Sequence, residues 1–253
     1  MDSMQRGGLR ARMASGAADI DRAQALRHRA FISGRPGVRP RPTARDSDGF
    51  DQRCRHVLVE ETGSGALLAC YRLLPLARGA EIDRSYSAQR YDLTALAGYG
   101  RPMLEMGRFC IHPDHTGTPD ILRLAWAALA RVIDDEGVGL LFGCSSFHGA
   151  EAARHRDALA WLAARHLAPP RWRPRVKAPR VVPFAPLGSL RPDPQRAQRS
   201  MPPLLRSYLA LGGWVSDHAV IDDDLDTLHV FTGLEVAAIP PARARLLRAT
   251  AAA

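Results

Sequence analysis

The chain has 253 residues, 46% of them apolar, which is enough for a packed core and excludes an intrinsically disordered protein. Its formal net charge is +9, carried almost wholly by arginine with Lys177 as the one lysine, and such a surface favours nucleic acid, an anionic membrane face or an acidic carrier protein as partner. Aromatic residues make up only 6%, too few for base stacking along single-stranded nucleic acid, so no nucleic-acid partner is expected.

Met1–Gly8 reads as a flexible start. Leu9–Ala14 alternates arginine with apolar residues, as an edge strand does, and Ser15-Gly16 breaks it. Ile20, Ala23, Leu26, Ala30 and Phe31 then recur at helical spacing, and Ser33–Pro42 is a loop rich in Gly, Pro and Arg. An acidic stretch holds Asp46, Asp48 and Asp51. Cys54–Glu61 and Leu67–Leu74 flank Thr62-Gly63-Ser64-Gly65 and read as a hairpin. Pro75–Arg101 is irregular, with a short helix near Leu93–Ala97. Met103–Ile111 is a strand in which Glu105 and Arg108 stand among apolar residues.

A polar loop, His112–Pro119, leads into the clearest helix, Asp120–Glu136. Thr118 is its candidate N-cap, Pro119 suits the first turn, and Gly137 ends it. Gly139–Phe147 is apolar enough for a strand covered on both faces, which completes a strand–helix–strand crossover. Ala152–Leu167 is a further helix. Ala168–Ser200 is a Pro- and Arg-rich loop, either simply exposed or resting on anionic headgroups. Pro203–Leu211 is a short helix. Trp214–Ile221 and Thr227–Val236 form a closing strand pair around the acidic turn Asp222–Asp226, and 240–253 is a basic tail. Residues 9–239 therefore make one domain of α/β class, a mixed, mainly antiparallel central sheet with helices on both faces.

Cys54, Cys70, Cys110 and Cys144 are far apart, without a CxxC pair, as in a reducing compartment. No signal-peptide core or membrane-spanning run is present, so a cytoplasmic protein is expected, with brief contact at the inner face of a membrane. Several chemical signatures fail. Phe147 stands where a nucleophile elbow requires its second glycine. His112 and His115 lack a third metal ligand, so no metal site is expected. Cys144 near His148 fits a buried strand thiol better than a nucleophile.

The strings Arg27 with Phe31, Asp48-Gly49-Phe50-Asp51, Tyr71-Arg72-Leu73-Leu74 and Glu105-Met106-Gly107-Arg108 resemble the acyl-homoserine-lactone synthases. They resemble still more the ornithine–acyl-carrier-protein N-acyltransferases of ornithine-lipid synthesis, which share the Gcn5-related N-acyltransferase-like fold. Glu105-Met106-Gly107-Arg108-Phe109-Cys110-Ile111, Gly143-Cys144-Ser145-Ser146-Phe147-His148-Gly149 and Pro202–Gly212 match that family, with Phe109 and His148 departing from its pattern.

The resemblance implies an enzyme that moves a 3-hydroxyacyl group from acyl carrier protein to the α-amine of L-ornithine. It implies no tightly bound cofactor, the carrier's phosphopantetheine arm entering as substrate. Glu105 and Arg108 are then catalytic, Glu105 as general base, the alternative being a structural Glu105–Arg108 pair. Arg27, Phe31, Asp48, Asp51 and Arg72 bind the amino acid; the two aspartates otherwise cap or solvate a loop. Phe109, Cys110, Ile111, Thr116, Gly117, Thr118, Ser145, Ser146 and Phe147 receive the acyl chain and phosphopantetheine. The other readings are N-acylation of another amino acid such as glutamine, acyl-homoserine-lactone synthesis, and a basic binding module without catalysis.

Overall fold

The computed structural model describes residues 3–188 and 190–252. In chain order the elements begin with β1 (Met4–Arg6), β2 (Leu9–Met13), α1 (Ala17–Phe31), β3 (Arg55–Glu61) and β4 (Leu67–Leu76). Next come β5 (Tyr91–Asp92), β6 (Met103–Ile111), α2 (Pro119–Asp135), β7 (Leu140–His148) and α3 (Arg156–Arg165). The last are β8 (Arg175–Val176), β9 (Val181–Pro183), α4 (Pro194–Ser200), α5 (Pro203–Ala210), β10 (Trp214–Val215), β11 (His218–Asp222), β12 (Thr227–Glu235) and α6 (Pro241–Ala252). The class is mixed α/β with mainly antiparallel strand pairing.

These elements fall into two compact units. The first comprises Met1–Pro75, Leu104–Val138 and Pro240–Ala253. Its strands run in the order β1-β2-β3-β4-β6. β3 and β4 pair antiparallel from Arg55↔Leu73 to Val59↔Ala69, with a bulge at Val59/Glu60. Strand alternation sends neighbouring side chains to opposite faces. Cys70 therefore packs with Leu58, Cys110 and the α1 residues Ala23, Leu26 and Ala30. Tyr71, one residue on, reaches the other face, where its hydroxyl donates to the Ala125 carbonyl of α2 at 3.0 Å. Each face of this sheet is thus covered by one helix.

α2 buries Ile121, Leu124, Ala125, Ala128, Leu129 and Val132, the stripe expected from spacing. It ends where Gly137 adopts φ 60°, a conformation that costs a glycine little. The basic tail is largely helical: α6 presents Arg248 to Asp134 of α2 at 2.9 Å. Part of the start assigned to flexible chain is ordered, because Met4–Arg6 pairs antiparallel with β2, from Met4↔Ala11 to Arg6↔Leu9. Met1 and Asp2 of that start, Ser189 of the Pro/Arg-rich loop and Ala253 of the tail lie outside the described residues.

The second unit comprises Leu76–Met103 and Gly139–Ile239. β12 is its spine, paired antiparallel with β7 over nine residues, from Thr227↔His148 to Glu235↔Leu140. On one face Phe147, Val230, Leu228 and Ala219 pack with Leu159, Leu162, Met201 and Leu205 of the helical side. The expected single strand Trp214–Ile221 is broken into β10 and β11. Trp214 and Val215 pair with Gly233 and Thr232, yet Val220 pairs with His229, so two extra residues are accommodated between them. Ser216 fills the break, donating to the His218 carbonyl at 2.7 Å and accepting from Phe231 N at 3.1 Å. Gly233 is required there, since a Cβ would lie 2.4 Å from the Trp214 ring. The expected helix Ala152–Leu167 opens as a 3-10 turn and is α-helical only over Arg156–Arg165. The described residues of the 168–200 stretch include β8, β9 and α4.

Among the described residues, no helix is long and apolar enough to cross a membrane.

Candidate active site

The first unit holds a lattice of arginines and aspartates on the α1 side of its sheet. Arg27, on α1 and 1% exposed, donates from both terminal nitrogens to the two oxygens of Asp51, each at 2.8 Å. Its Nε lies 3.1 Å from Asp46 Oδ2, and Nη2 also donates to the Asp46 carbonyl. Arg72, on β4, donates to Asp51 Oδ1 at 3.0 Å and to both oxygens of Asp48, at 2.5 and 3.2 Å. Arg108, on β6, donates from Nε to Asp46 Oδ2 at 3.0 Å and from Nη2 to Asp48 Oδ2 at 3.4 Å. Three guanidinium charges thus face three carboxylates, which is what permits so many ions to be buried together.

Local structure explains the placement. Asp48 accepts from Phe50 N at 2.9 Å, an Asx turn that folds the acidic stretch back towards Asp51. Gln24 Nε2 donates to Asp51 Oδ2 at 2.9 Å, and His56 Nε2 lies 3.0 Å from the Asp51 carbonyl oxygen. Asp48 is the carboxylate with an open side, at 27% side-chain exposure, whereas Asp51 is enclosed.

Arg108 joins this lattice from an irregular point in β6. Arg108 has φ 53°, a left-handed conformation inside a strand. Arg108 and Cys110 face α1, while the Phe109 ring turns to Tyr71 with centroids 5.9 Å apart. Glu105 is buried at 4% exposure. Together with Asp48, Asp51 and Arg72 it bears electrostatically on the Cys54 thiol.

The charges shape one another. Burial alone would raise the Asp48 pKa, but Arg72 and Arg108 outweigh it and hold the carboxyl below its ordinary value. For Asp51 burial is likewise overcome, chiefly by Arg27, and the carboxyl is held far down. Burial pushes the Cys54 thiol up to about 11, Arg72 opposing and Glu105 reinforcing the shift. Burial lowers the His56 pKa, so its imidazole is neutral near neutral pH.

The other sequence-selected residues are placed as follows. Phe31 packs at the margin of the α1 core cluster. Cys110 is buried with its sulfur 3.6 Å from that of Cys70, and the neighbouring thiol, reinforced by burial, drives its pKa far up. Ile111 is half-buried at the end of β6. Thr116, Gly117 and Thr118 form an exposed loop before α2. Thr116 donates to the Pro113 carbonyl at 3.3 Å, and the Thr118 side chain makes no capping bond. Ser145, Ser146 and Phe147 lie in the second unit. Ser145 is buried and accepts from Thr232 Oγ1 at 3.0 Å, Ser146 is exposed, and Phe147 is a core residue beside the His155 ring.

Asp46, Gln24, Cys54 and His56 belong to the cluster although the motif strings do not select them. Asp46 had a visible signal: three aspartates within six residues, in a chain offering arginines from three separate elements.

A mainly antiparallel sheet flanked by helices, with a buried glutamate on the strand before an exposed loop and long helix, is the arrangement expected of the Gcn5-related N-acyltransferase-like fold. A family model described as an acetyltransferase (GNAT) domain matches residues 26–126. The solved structure of FeeM, an N-acyl amino acid synthase from uncultured soil microbes, shares the fold. It superposes with a TM-score of 0.51 at 12% identity, covering 96% of this chain and 97% of that one. The L-ornithine N(alpha)-acyltransferase of Rhodobacter capsulatus is 37% identical over 236 residues, 90% of each chain. That of Brucella abortus is 33% identical over 244 residues, 91% of this chain and 85% of the relative. The chain belongs to the L-ornithine N(alpha)-acyltransferase family and is an acyltransferase.

Proposed function

We propose that this chain transfers a 3-hydroxyacyl group from acyl carrier protein to the α-amine of L-ornithine, giving lyso-ornithine lipid, the first step of ornithine-lipid synthesis. The observation that carries the reading is the extent of the likeness: relatives named for ornithine acylation match about nine-tenths of the chain. The carrier and the 3-hydroxyacyl chain rest on the motif resemblance alone.

In this reading the ornithine α-ammonium first loses a proton to Glu105, directly or through a water. The free amine attacks the thioester carbonyl carbon, the C–N bond forms and the carbonyl oxygen becomes an oxyanion that backbone N–H groups stabilise. Collapse breaks the C–S bond; the attacking nitrogen sheds its second proton, which the departing phosphopantetheine thiolate takes up, and Glu105 returns the first proton to water. The products are an amide and free carrier thiol. No tightly bound cofactor takes part.

Asp48, with its open side, receives the side-chain ammonium of ornithine, and Arg108 its α-carboxylate. Asp51 and Arg27 hold these two groups in place rather than touching substrate, because each is enclosed by its own partners. The loop Thr116–Thr118 seats the single phosphate of the carrier arm.

The test is incubation of the pure protein with 3-hydroxyacyl carrier protein and L-ornithine, scoring thiol release and amide mass. Turnover with glutamine or glycine but none with ornithine would remove the substrate from the proposal and leave the reaction class.

A further inference from the structure

The net charge of this chain is not spread over it. Residues 151–211 hold twelve Lys and Arg against three acidic residues, an excess equal to the formal +9 of the whole chain. The rest of the sequence is balanced, and in the first unit Arg10, Arg12, Arg27 and Arg72 are paired with carboxylates. Such segregation is a feature of surfaces that meet an anionic partner.

Part of this excess is gathered around α4. The Asp193 backbone N–H donates to Asp157 Oδ1 of α3 at 3.0 Å, which brings the start of α4 to the start of α3 and so to the exposed Arg156. Arg206 of α5 donates to the Gln198 carbonyl of α4 at 2.9 Å. Arg156, Arg191, Arg196, Arg199 and Arg206 are all exposed. The nearby carboxylates are already engaged. Asp193 caps α4, accepting from Gln195 N at 2.8 Å and Arg196 N at 3.1 Å, and sits 3.5 Å from Arg196 Nε. Asp157 accepts the bond just described.

Beneath the platform, Ala197, Met201 and Leu205 are buried in the core of the second unit, so the arginines stand on a packed base. α4 is only seven residues long and exposes no large apolar side chain. It offers cations without an apolar wedge, and no aromatic face for nucleobases.

We propose that the α4 platform docks this protein onto an anionic bilayer, taking the phosphate groups of lipid headgroups between Arg156, Arg191, Arg196, Arg199 and Arg206. Arginine forks suit phosphate oxygens. The choice of a bilayer over an acidic protein rests on the proposed reaction, whose product is a long-chain amphiphile bound for a membrane. The attachment is electrostatic and peripheral, so it is sensitive to salt.

The test is sedimentation of the full-length protein with vesicles of phosphatidylglycerol and phosphatidylcholine, against vesicles of phosphatidylcholine alone. Binding is expected to the anionic vesicles only, and to be abolished by about 0.5 M salt, where screening reaches a few ångströms. A triple variant, Arg191→Gln, Arg196→Gln and Arg199→Gln, should bind on the order of 100-fold more weakly, with an unchanged circular-dichroism spectrum and unchanged turnover of a donor in solution. Equal binding to both vesicle types, no binding to anionic vesicles at low salt, or full binding by the triple variant would overturn the proposal. So would a variant whose KM for a carrier-bound donor rises in the absence of vesicles, because the platform would then serve an acidic protein. Vesicle binding is read without ornithine, so its failure is distinct from failure of the proposed reaction.

Discussion

Arg108 and Asp46 are joined across the site by a 3.0 Å hydrogen bond from Nε to Oδ2, and Arg108 makes it from a left-handed backbone conformation with φ 53°. Such a conformation costs a non-glycine residue about 1–2 kcal/mol. The bond to Asp46 is part of what holds it. Asp46 therefore acts through Arg108 as a positioning residue.

Replacing Arg108 separates strain from function. Arg108→Gly should be more stable than Arg108→Ala by about 1 kcal/mol, because glycine relieves the left-handed strain that alanine keeps. Both variants should lose most activity. Chemical denaturation beside an activity assay reads the two effects; equal stability of the variants would argue against stored strain at this position.

The two motif aspartates should behave differently. Asp51→Asn strips charge from the enclosed partners Arg27 and Arg72 and should cost about 3–5 kcal/mol in stability, as breaking a buried pair does. Asp48→Asn should cost only about 1 kcal/mol, because Arg72 keeps Asp51. Its main effect should be a rise in KM for ornithine of about 10- to 100-fold, the loss of one charged hydrogen bond. Thermal melts and steady-state kinetics distinguish them, and a reversed order would mean that Asp51 meets substrate.

Acid should unfold the protein through its paired carboxylates. Burial favours protonation of Glu60, but Arg12, Arg10 and Arg22 hold its pKa down at about 2 against an ordinary 4.5. Asp48 and Asp51 are lowered as well. A lowered folded-state pKa contributes stability that is fully present above the unfolded value and is lost as pH falls through the folded one. Stability should thus be level from pH 7 to about 5 and fall between about 4.5 and 2. Urea midpoints across this range test it; a loss beginning above pH 6 would point to histidines instead.

Elements with a strong local pattern were legible in the sequence. The β3–β4 hairpin shows in its Gly-bearing turn, and α2 in its apolar stripe and closing Gly137. The site was legible only in part. Arg27, Asp48, Asp51, Arg72 and Arg108 stand together, but nothing in Gly107-Arg108 announces the left-handed residue. Asp46 was not selected from the sequence because its partners come from α1 and β6, distant in sequence. The break between β10 and β11 was hidden for a related reason: Ser216 is stabilised by Phe231, fifteen residues on.

The most direct measurement of the central claim is a comparison of the native protein with Glu105→Gln, using 3-hydroxyacyl carrier protein and L-ornithine, with thiol release and Nα-acylornithine measured together. The account predicts matched thiol and amide from the native protein. It predicts a loss of about 10²–10⁴-fold in rate for the variant, with folding unchanged. A folded variant at the native rate, or a native protein that forms no acylornithine, would contradict it.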